Sequence, residues 1–232
     1  MKVNRHGRAK ILTIEEIQLL FRVGLTNIRD RVLFGVMLFS ACRVREGCTL
    51  LAADVYEPSG QVRSEIIFRK GNTKGKLATR TIPVLEDLRS LLVSYYPEAG
   101  EKYLFPGRFG DGHLHADSAA RILRKACKKV GIFGASTHSF RRTALTTMSD
   151  TGIPLRIIQE VSGHRNLSQL QKYLEVKPEQ VKGAIASLSM LSPTASEVDI
   201  NLFSDLDSPD LSFPGEGKCH DQPTHLSPPR ES

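Results

Sequence analysis

The feature that most limits the fold is one interruption in an otherwise helical pattern. Apolar residues recur at helical spacing through much of the chain up to Leu188, and between Val55 and Val84 the pattern turns to β. This predicts a mainly α fold with a small antiparallel β-sheet, of the α+β class. Glu65–Phe68 reads as one strand, Gly71–Gly75 as turn chemistry and Ala78–Val84 as the return, a hairpin tipped with Lys70, Lys74 and Lys76.

The helices have their own signals. Thr13 followed by Glu16 forms a capping box ahead of Ile17, Leu20 and Phe21 at helical spacing. A second helix over Ile28–Ser40 is so rich in apolar residues that it belongs at the centre of the core, and a short third runs from near Arg43 to Leu51. Beyond the hairpin the spacing predicts helices over Leu85–Tyr96, Asp117–Val130, Ser136–Met148, Pro154–Val161, Ser168–Leu174 and Pro178–Leu188. There is no internal repeat, and 232 residues at 40% apolar content suffice for one large domain or two small ones.

The longest mainly apolar run, Val32 to Cys42, is about half of a bilayer span, and the basic N-terminus leads into Glu15 and Glu16 without the apolar stretch of an export signal. A soluble cytoplasmic chain that makes no use of a membrane is expected. Cys42, Cys48, Cys127 and Cys219 stand at irregular spacing with no Cys-x-x-Cys pair, which points to a reducing compartment rather than disulfides or a zinc ribbon.

Charge is divided unevenly. Residues 187–232 carry eight acids and two bases, a net of −6, so that residues 1–186 hold +13 of the overall +7. A body this basic suits a polyanionic partner such as nucleic acid. Six of the twelve prolines lie in the last forty residues, and the Ser, Pro and Asp composition after Leu188 predicts a disordered acidic tail over 189–232. Lys2, Arg5, Arg8 and Lys10 predict a flexible basic arm over 1–10, leaving 11–188 as the folded domain.

Four segments carry candidate chemistry. Ala41-Cys42-Arg43-Val44-Arg45-Glu46 sets an arginine at a helix start with a glutamate three residues on, close enough to orient it. The lysine-tipped hairpin follows. His138-Ser139-Phe140-Arg141 sets an imidazole and a guanidinium on one helix face, and Gly163-His164 precedes Tyr173 by a short interval. His113-x-His115 with Cys127 or His138 is the one arrangement with any metal-ligand character, but it lies in a Gly-rich loop without a recognised ligand pattern, so no metal is expected.

Taken in order these segments, FSACRVREGCTL, RKGNTKGKLATRTIPV, THSFRRTALTTM and VSGHRNLSQLQKYLEV, resemble the tyrosine recombinases, or phage integrase family, over about Ile11 to Leu188. The resemblance implies Arg43, Lys74, His138, Arg141, His164 and Tyr173 as the catalytic set. Tyr173 would be the nucleophile, keeping the energy of the broken DNA phosphodiester as a 3′-phosphotyrosyl ester with no cofactor. Arg43 and Arg141 would clamp the non-bridging oxygens. A hairpin lysine, Lys74 or in a variant of the motif Lys70, would protonate the leaving 5′ oxygen. His138 would act as general base or phosphate donor, and His164 would donate to the same phosphate.

The partners implied are double-stranded DNA, a homo-tetramer at synapsis and an accessory DNA-bending protein, with integration, excision or inversion as the outcome. Arg142 stands where the family often has histidine, and Ser162 where it often has leucine. Beginning almost directly with the catalytic domain, the chain looks like the short subfamily that includes fimbrial phase-variation invertases. The rival readings are a DNA-binding remnant that modulates a full-length recombinase, and a type IB topoisomerase using the same chemistry.

Overall fold

The longest apolar run becomes the central helix. In α2 (Ile28–Phe39), Val32, Leu33, Phe34, Gly35, Val36 and Met37 are all buried, so the helix has no solvent face over those turns. Asn27 caps it, its side chain accepting from the Arg29 N–H at 2.8 Å. The computed structural model describes residues 9–72, 79–108, 112–171 and 178–188.

Before it, α1 (Ile14–Leu19) opens on the expected capping box: the Thr13 hydroxyl accepts from the Glu16 N–H and the Glu16 carboxylate from the Thr13 N–H, both at 3.2 Å. The helix continues as a π-helical turn over Leu20–Gly24. After it come α3 (Val44–Cys48), β1 (Glu65–Phe68), β2 (Arg80–Pro83), α4 (Glu86–Tyr95), α5 (Ala116–Lys129), α6 (Thr137–Asp150), α7 (Leu155–Ser162), α8 (Leu167–Gln171) and α9 (Pro178–Ala186). The strands pair antiparallel, Glu65 opposite Pro83 and Phe68 opposite Arg80, with Ile66 and Ile82 paired and buried. The fold is therefore mainly helical with a small antiparallel sheet, as the spacing predicts.

Several bounds differ from the sequence pattern for local reasons. β-structure does not begin at Val55: Ala52–Asp54 is a 3-10 turn, and Tyr56 meets Val62 only through an isolated bridge. The intervening chain closes on itself, with Glu57 N–H donating to the Gln61 carbonyl at 2.8 Å and Gly60 taking φ +85°. The third helix stops at Cys48, because Leu50 and Leu51 turn away to bond and bridge with Leu104 and Tyr103. The hairpin turn opens as a 3-10 turn over Lys70–Asn72. Its tip, with Lys74 and Lys76, and the end of the helix read over Ser168–Leu174 lie outside the described residues.

Two apolar clusters form. The larger unites α2 with residues of α4, α5, α6 and the sheet, and within it Phe34 and Phe140 stack at 5.1 Å between centroids. The smaller consists of Ala41, Leu145, Ile158 and Leu170, joining the turn after α2 to α6, α7 and α8. The last two residues of the predicted N-terminal arm are tied down. Arg142 Nη1 donates to the Ala9 carbonyl at 2.6 Å, and Lys10 pairs with Glu16. Next to them, Leu12 N–H donates to Thr143 Oγ1 at 2.9 Å. Residues 1–8 lie outside the described residues.

By internal contacts the chain divides after Ala186, and of the second unit only Ser187 and Leu188 are described, so the predicted acidic tail is not. Among the described residues no helix is long and apolar enough to cross a membrane. Cys42, Cys48 and Cys127 are buried free thiols. Because Phe140 fixes α6 against α2, Phe140→Ala is expected to cost about 3–5 kcal/mol, read as a fall in the urea midpoint at unchanged slope.

Candidate active site

The site begins where α2 ends. Ser40 Oγ donates to the Val36 carbonyl at 2.6 Å and accepts from the Cys42 N–H at 3.3 Å, and between them Ala41 takes φ +49°. Among the described residues Ala41 is the one non-glycine in the left-handed region, a conformation that L side chains resist. This turn aims the Ala41 carbonyl at Arg141 Nη1, which donates to it, and delivers Arg43 to the N-cap of α3.

Glu46 then reaches back over the first turn of α3. Its carboxylate accepts from the Arg43 N–H and from Arg43 Nη1, each at 2.9 Å, so one side chain both caps the helix and orients the arginine. The same carboxylate accepts from Arg80 Nη2 at 2.9 Å. Arg80 comes from β2 and lies over the Phe68 ring, 4.5 Å from its centroid.

Arg141 enters from α6 and is buried, at 3% exposure. Its Nη2 stands 3.1 Å from His164 Nε2. His164 follows α7, which ends in the left-handed Gly163 at φ +63°. A side chain at 163 would also come within 3.1 Å of Arg80 Nη1, a tight approach that the arginine would have to yield to. Gln159 Nε2 donates to the His164 carbonyl at 2.9 Å, and Ser162 Oγ lies 2.7 Å from His164 Nδ1.

The electrostatics follow from burial among cations. Arg141 is pushed down to about 10 by burial and then by the charge of Arg43, and still carries its proton at neutral pH. His164 is pushed down to about 3 by burial and then by Arg141 and Arg43, so its ring is neutral. Burial drives the Glu46 carboxyl up, but the charge of Arg80, the Arg43 N–H and the charge of Arg43 together outweigh it and leave the group lowered. Two guanidiniums, Arg43 and Arg80, pair with the one carboxylate and a third, Arg141, lies close enough to feel its charge, and the excess positive charge suits an oxyanion.

Of the six residues singled out by sequence, the structure brings Arg43, Arg141 and His164 together. His138, one turn before Arg141 on α6, is exposed, whereas Arg141 faces inward. Lys74 and Tyr173 lie outside the described residues. The alternative lysine, Lys70, is exposed in the 3-10 turn, its N–H donating to Thr79 Oγ1 at 3.1 Å. Arg80 was not legible as a site residue. Its only signal is a charge at the strand position opposite the buried Phe68. His113 and His115 serve locally: the His113 ring packs edge-on to Tyr103 at 5.3 Å, and His115 caps α5. Among the described residues no three His, Cys, Asp or Glu side chains are grouped to hold a metal.

Residues 10–180 match the phage integrase family. The chain belongs to this family. It is 32% identical to the tyrosine recombinase XerA of Pyrococcus furiosus over 187 residues, 78% of this chain and 63% of that protein. It therefore spans less than two thirds of that relative's length. Its fold is similar to that of a crystal structure of XerA recombinase, with TM-score 0.64 at 22% identity over 79% of this chain and 66% of that one. It is similar also to XerH site-specific recombinase bound to difH substrate in a pre-cleavage complex, with TM-score 0.62 at 18% identity over 81% and 56%.

In this integrase-family site the shifted groups set an acid response. The folded state keeps His164 neutral down to about pH 3, whereas in the unfolded chain the ring takes up a proton near its ordinary 6.5. The unfolded state then binds more protons, so stability falls as pH drops through that window, by up to about 1.4 kcal/mol per pH unit. The lowered Glu46 acts with the same sign below its ordinary 4.5. His164→Gln is therefore expected to flatten the stability profile between pH 6.5 and 4.5 and to leave the steeper fall below it, measured by urea unfolding across that range.

Proposed function

We propose that the chain is a site-specific DNA recombinase that cuts and rejoins strands through a 3′-phosphotyrosyl intermediate. The observation that carries this reading is the convergence, from three separate elements, of Arg43, held by the buried Glu46, Arg141, held by the Ala41 carbonyl, and the His164 ring beside it. Two planar donors held at fixed angles with a neutral imidazole suit a phosphate whose non-bridging oxygens gain charge during transfer.

In this reading the Tyr173 oxygen attacks phosphorus and the bond to the 5′ oxygen breaks. The phenolic proton passes to His138, and Lys74, or Lys70, gives a proton to the departing 5′ oxygen. The phosphotyrosyl ester retains the bond energy, and attack by a 5′ hydroxyl reverses the step. Arg43 and Arg141 bind the two non-bridging oxygens and His164 donates to one of them.

Double-stranded DNA is the partner, supported by the +13 on residues 1–186 and by the difH-bound XerH relative in fold. The chain acts in the cytoplasm, bound to DNA as a tetramer with an accessory DNA-bending protein. The helix α9 buries none of its residues, and Val181 and Ile185 are exposed on it, which supports its use between protomers. Residues 11–188 form the catalytic domain, 1–10 a basic arm and 189–232 an acidic tail.

A DNA duplex nicked beside the cleavage site traps the covalent intermediate. Tyr173→Phe should abolish the adduct in a denaturing gel while changing DNA affinity by no more than a few-fold, since only a hydroxyl is lost. Arg43→Ala and Arg141→Ala should each slow single-turnover cleavage by about two orders of magnitude. Adduct retained by Tyr173→Phe, or full-rate cleavage by either arginine variant, would overturn these assignments.

A further inference from the structure

We propose that Arg80 is a positioning residue: it braces Glu46 from the return strand of the hairpin, and Glu46 in turn fixes the direction in which Arg43 presents its guanidinium. The geometry of the brace stands by itself, and its effect on cleavage rests on the recombinase reading.

The two oxygens of Glu46 are divided between their donors. Oε1 accepts from Arg43 Nη1, and Oε2 accepts from the Arg43 N–H and from Arg80 Nη2, each at 2.9 Å. Two of these three donors belong to Arg43 itself. With them alone the carboxylate and the arginine could shift together, and the terminal torsion of a glutamate is too soft to resist. Among the described residues, Arg80 is the donor that ties the pair to another element.

Arg80 is itself well fixed. Its backbone is set by the strand register opposite Phe68, and its guanidinium carbon lies 4.5 Å from the centroid of that ring, which is buried in the main core. The guanidinium also passes the bare Cα of Gly163, where a Cβ would come within 3.1 Å of Nη1. The Arg80 side chain is 11% exposed against 28% for Arg43, so the arginine left accessible to a phosphate is Arg43. Arg80 Nε is buried and has no hydrogen-bond partner among the described residues. A methionine could cover Phe68 without burying such a group. Packing alone therefore does not account for a guanidinium at this position, whereas the bond to Glu46 does.

The test compares Arg80→Met with the unaltered chain. On nicked DNA the variant should form the covalent adduct about tenfold more slowly, as a misdirected clamp would. Its DNA affinity and the slope of its salt dependence should not change, because no phosphate contact is lost. A slope smaller by about one would make Arg80 a direct phosphate contact and overturn the proposal. In the Arg43→Ala background, Arg80→Met should slow cleavage no further, since its effect passes through Arg43. A further loss there, as general damage to the fold would give, or full-rate cleavage by Arg80→Met alone, would refute the positioning role. Arg80→Gln, two bonds shorter than the guanidinium, takes its place should Arg80→Met not fold. Without DNA, nitrogen–proton NMR should find the Arg43 Nη protons held in the unaltered chain and freely rotating in the variant; protons held equally in both would overturn the brace. If the unaltered chain forms no adduct the recombinase reading fails by itself, and this NMR comparison still decides whether Arg80 holds Arg43 through Glu46.

Discussion

One buried carboxylate holds the site together. Removing an ionised carboxylate from water is costly unless charge and hydrogen bonds replace the lost hydration. Glu46, at 2% exposure, meets that cost with the Arg43 guanidinium, the Arg43 N–H and the Arg80 guanidinium. Each of these belongs to a different structural decision: the start of α3, the direction of Arg43 and the docking of the hairpin's return strand. The carboxylate makes them one decision. It also offsets the repulsion of Arg43, Arg80 and Arg141, which without it would drive the guanidiniums apart.

The backbone contributes a second constraint through Ala41. A left-handed residue with a Cβ costs about 1–2 kcal/mol, and glycine would relieve it. The methyl group is fully buried with Leu145, Ile158 and Leu170, so it returns part of that cost as packing. The same cluster joins the turn after α2 to α6, α7 and α8, the elements that carry Arg141, precede His164 and lead toward Tyr173. It is far smaller than the core around α2. The arginine end of the site is thus backed by the main core, while α7 and α8 rest on a few apolar side chains and are the part that less free energy holds in place.

What the sequence made legible was local. The Thr13–Glu16 box, the apolar α2 and the antiparallel hairpin each depend on neighbours within a few residues, and each is where the pattern puts it. The Arg43–Glu46 pair was legible for the same reason. Arg80 was not, because its partner Glu46 is 34 residues away and no spacing rule links a strand to a helix start. Nor does an alanine advertise a left-handed turn, which the surrounding packing imposes. His138 and Arg141 show the limit of helical spacing: three residues apart put them on one side of α6, but the depth of each is set by what packs there, and only Arg141 is covered.

The cations that ready the site for an anion also decide what its histidine can do. A ring lowered to about 3 by burial and by Arg141 and Arg43 is a poor proton acceptor at neutral pH. In the proposed mechanism His164 is therefore a poor choice of base for the tyrosine, and that work is given to a group outside the cation cluster, as the exposed position of His138 allows. Nor, in that reading, does His164 add a third full charge against the phosphate. What remains to it in that reading is the single N–H of a neutral ring. Arg141, lowered to about 10, keeps its charge at neutral pH while the ring beside it stays neutral, so the same burial that leaves one group charged silences the other.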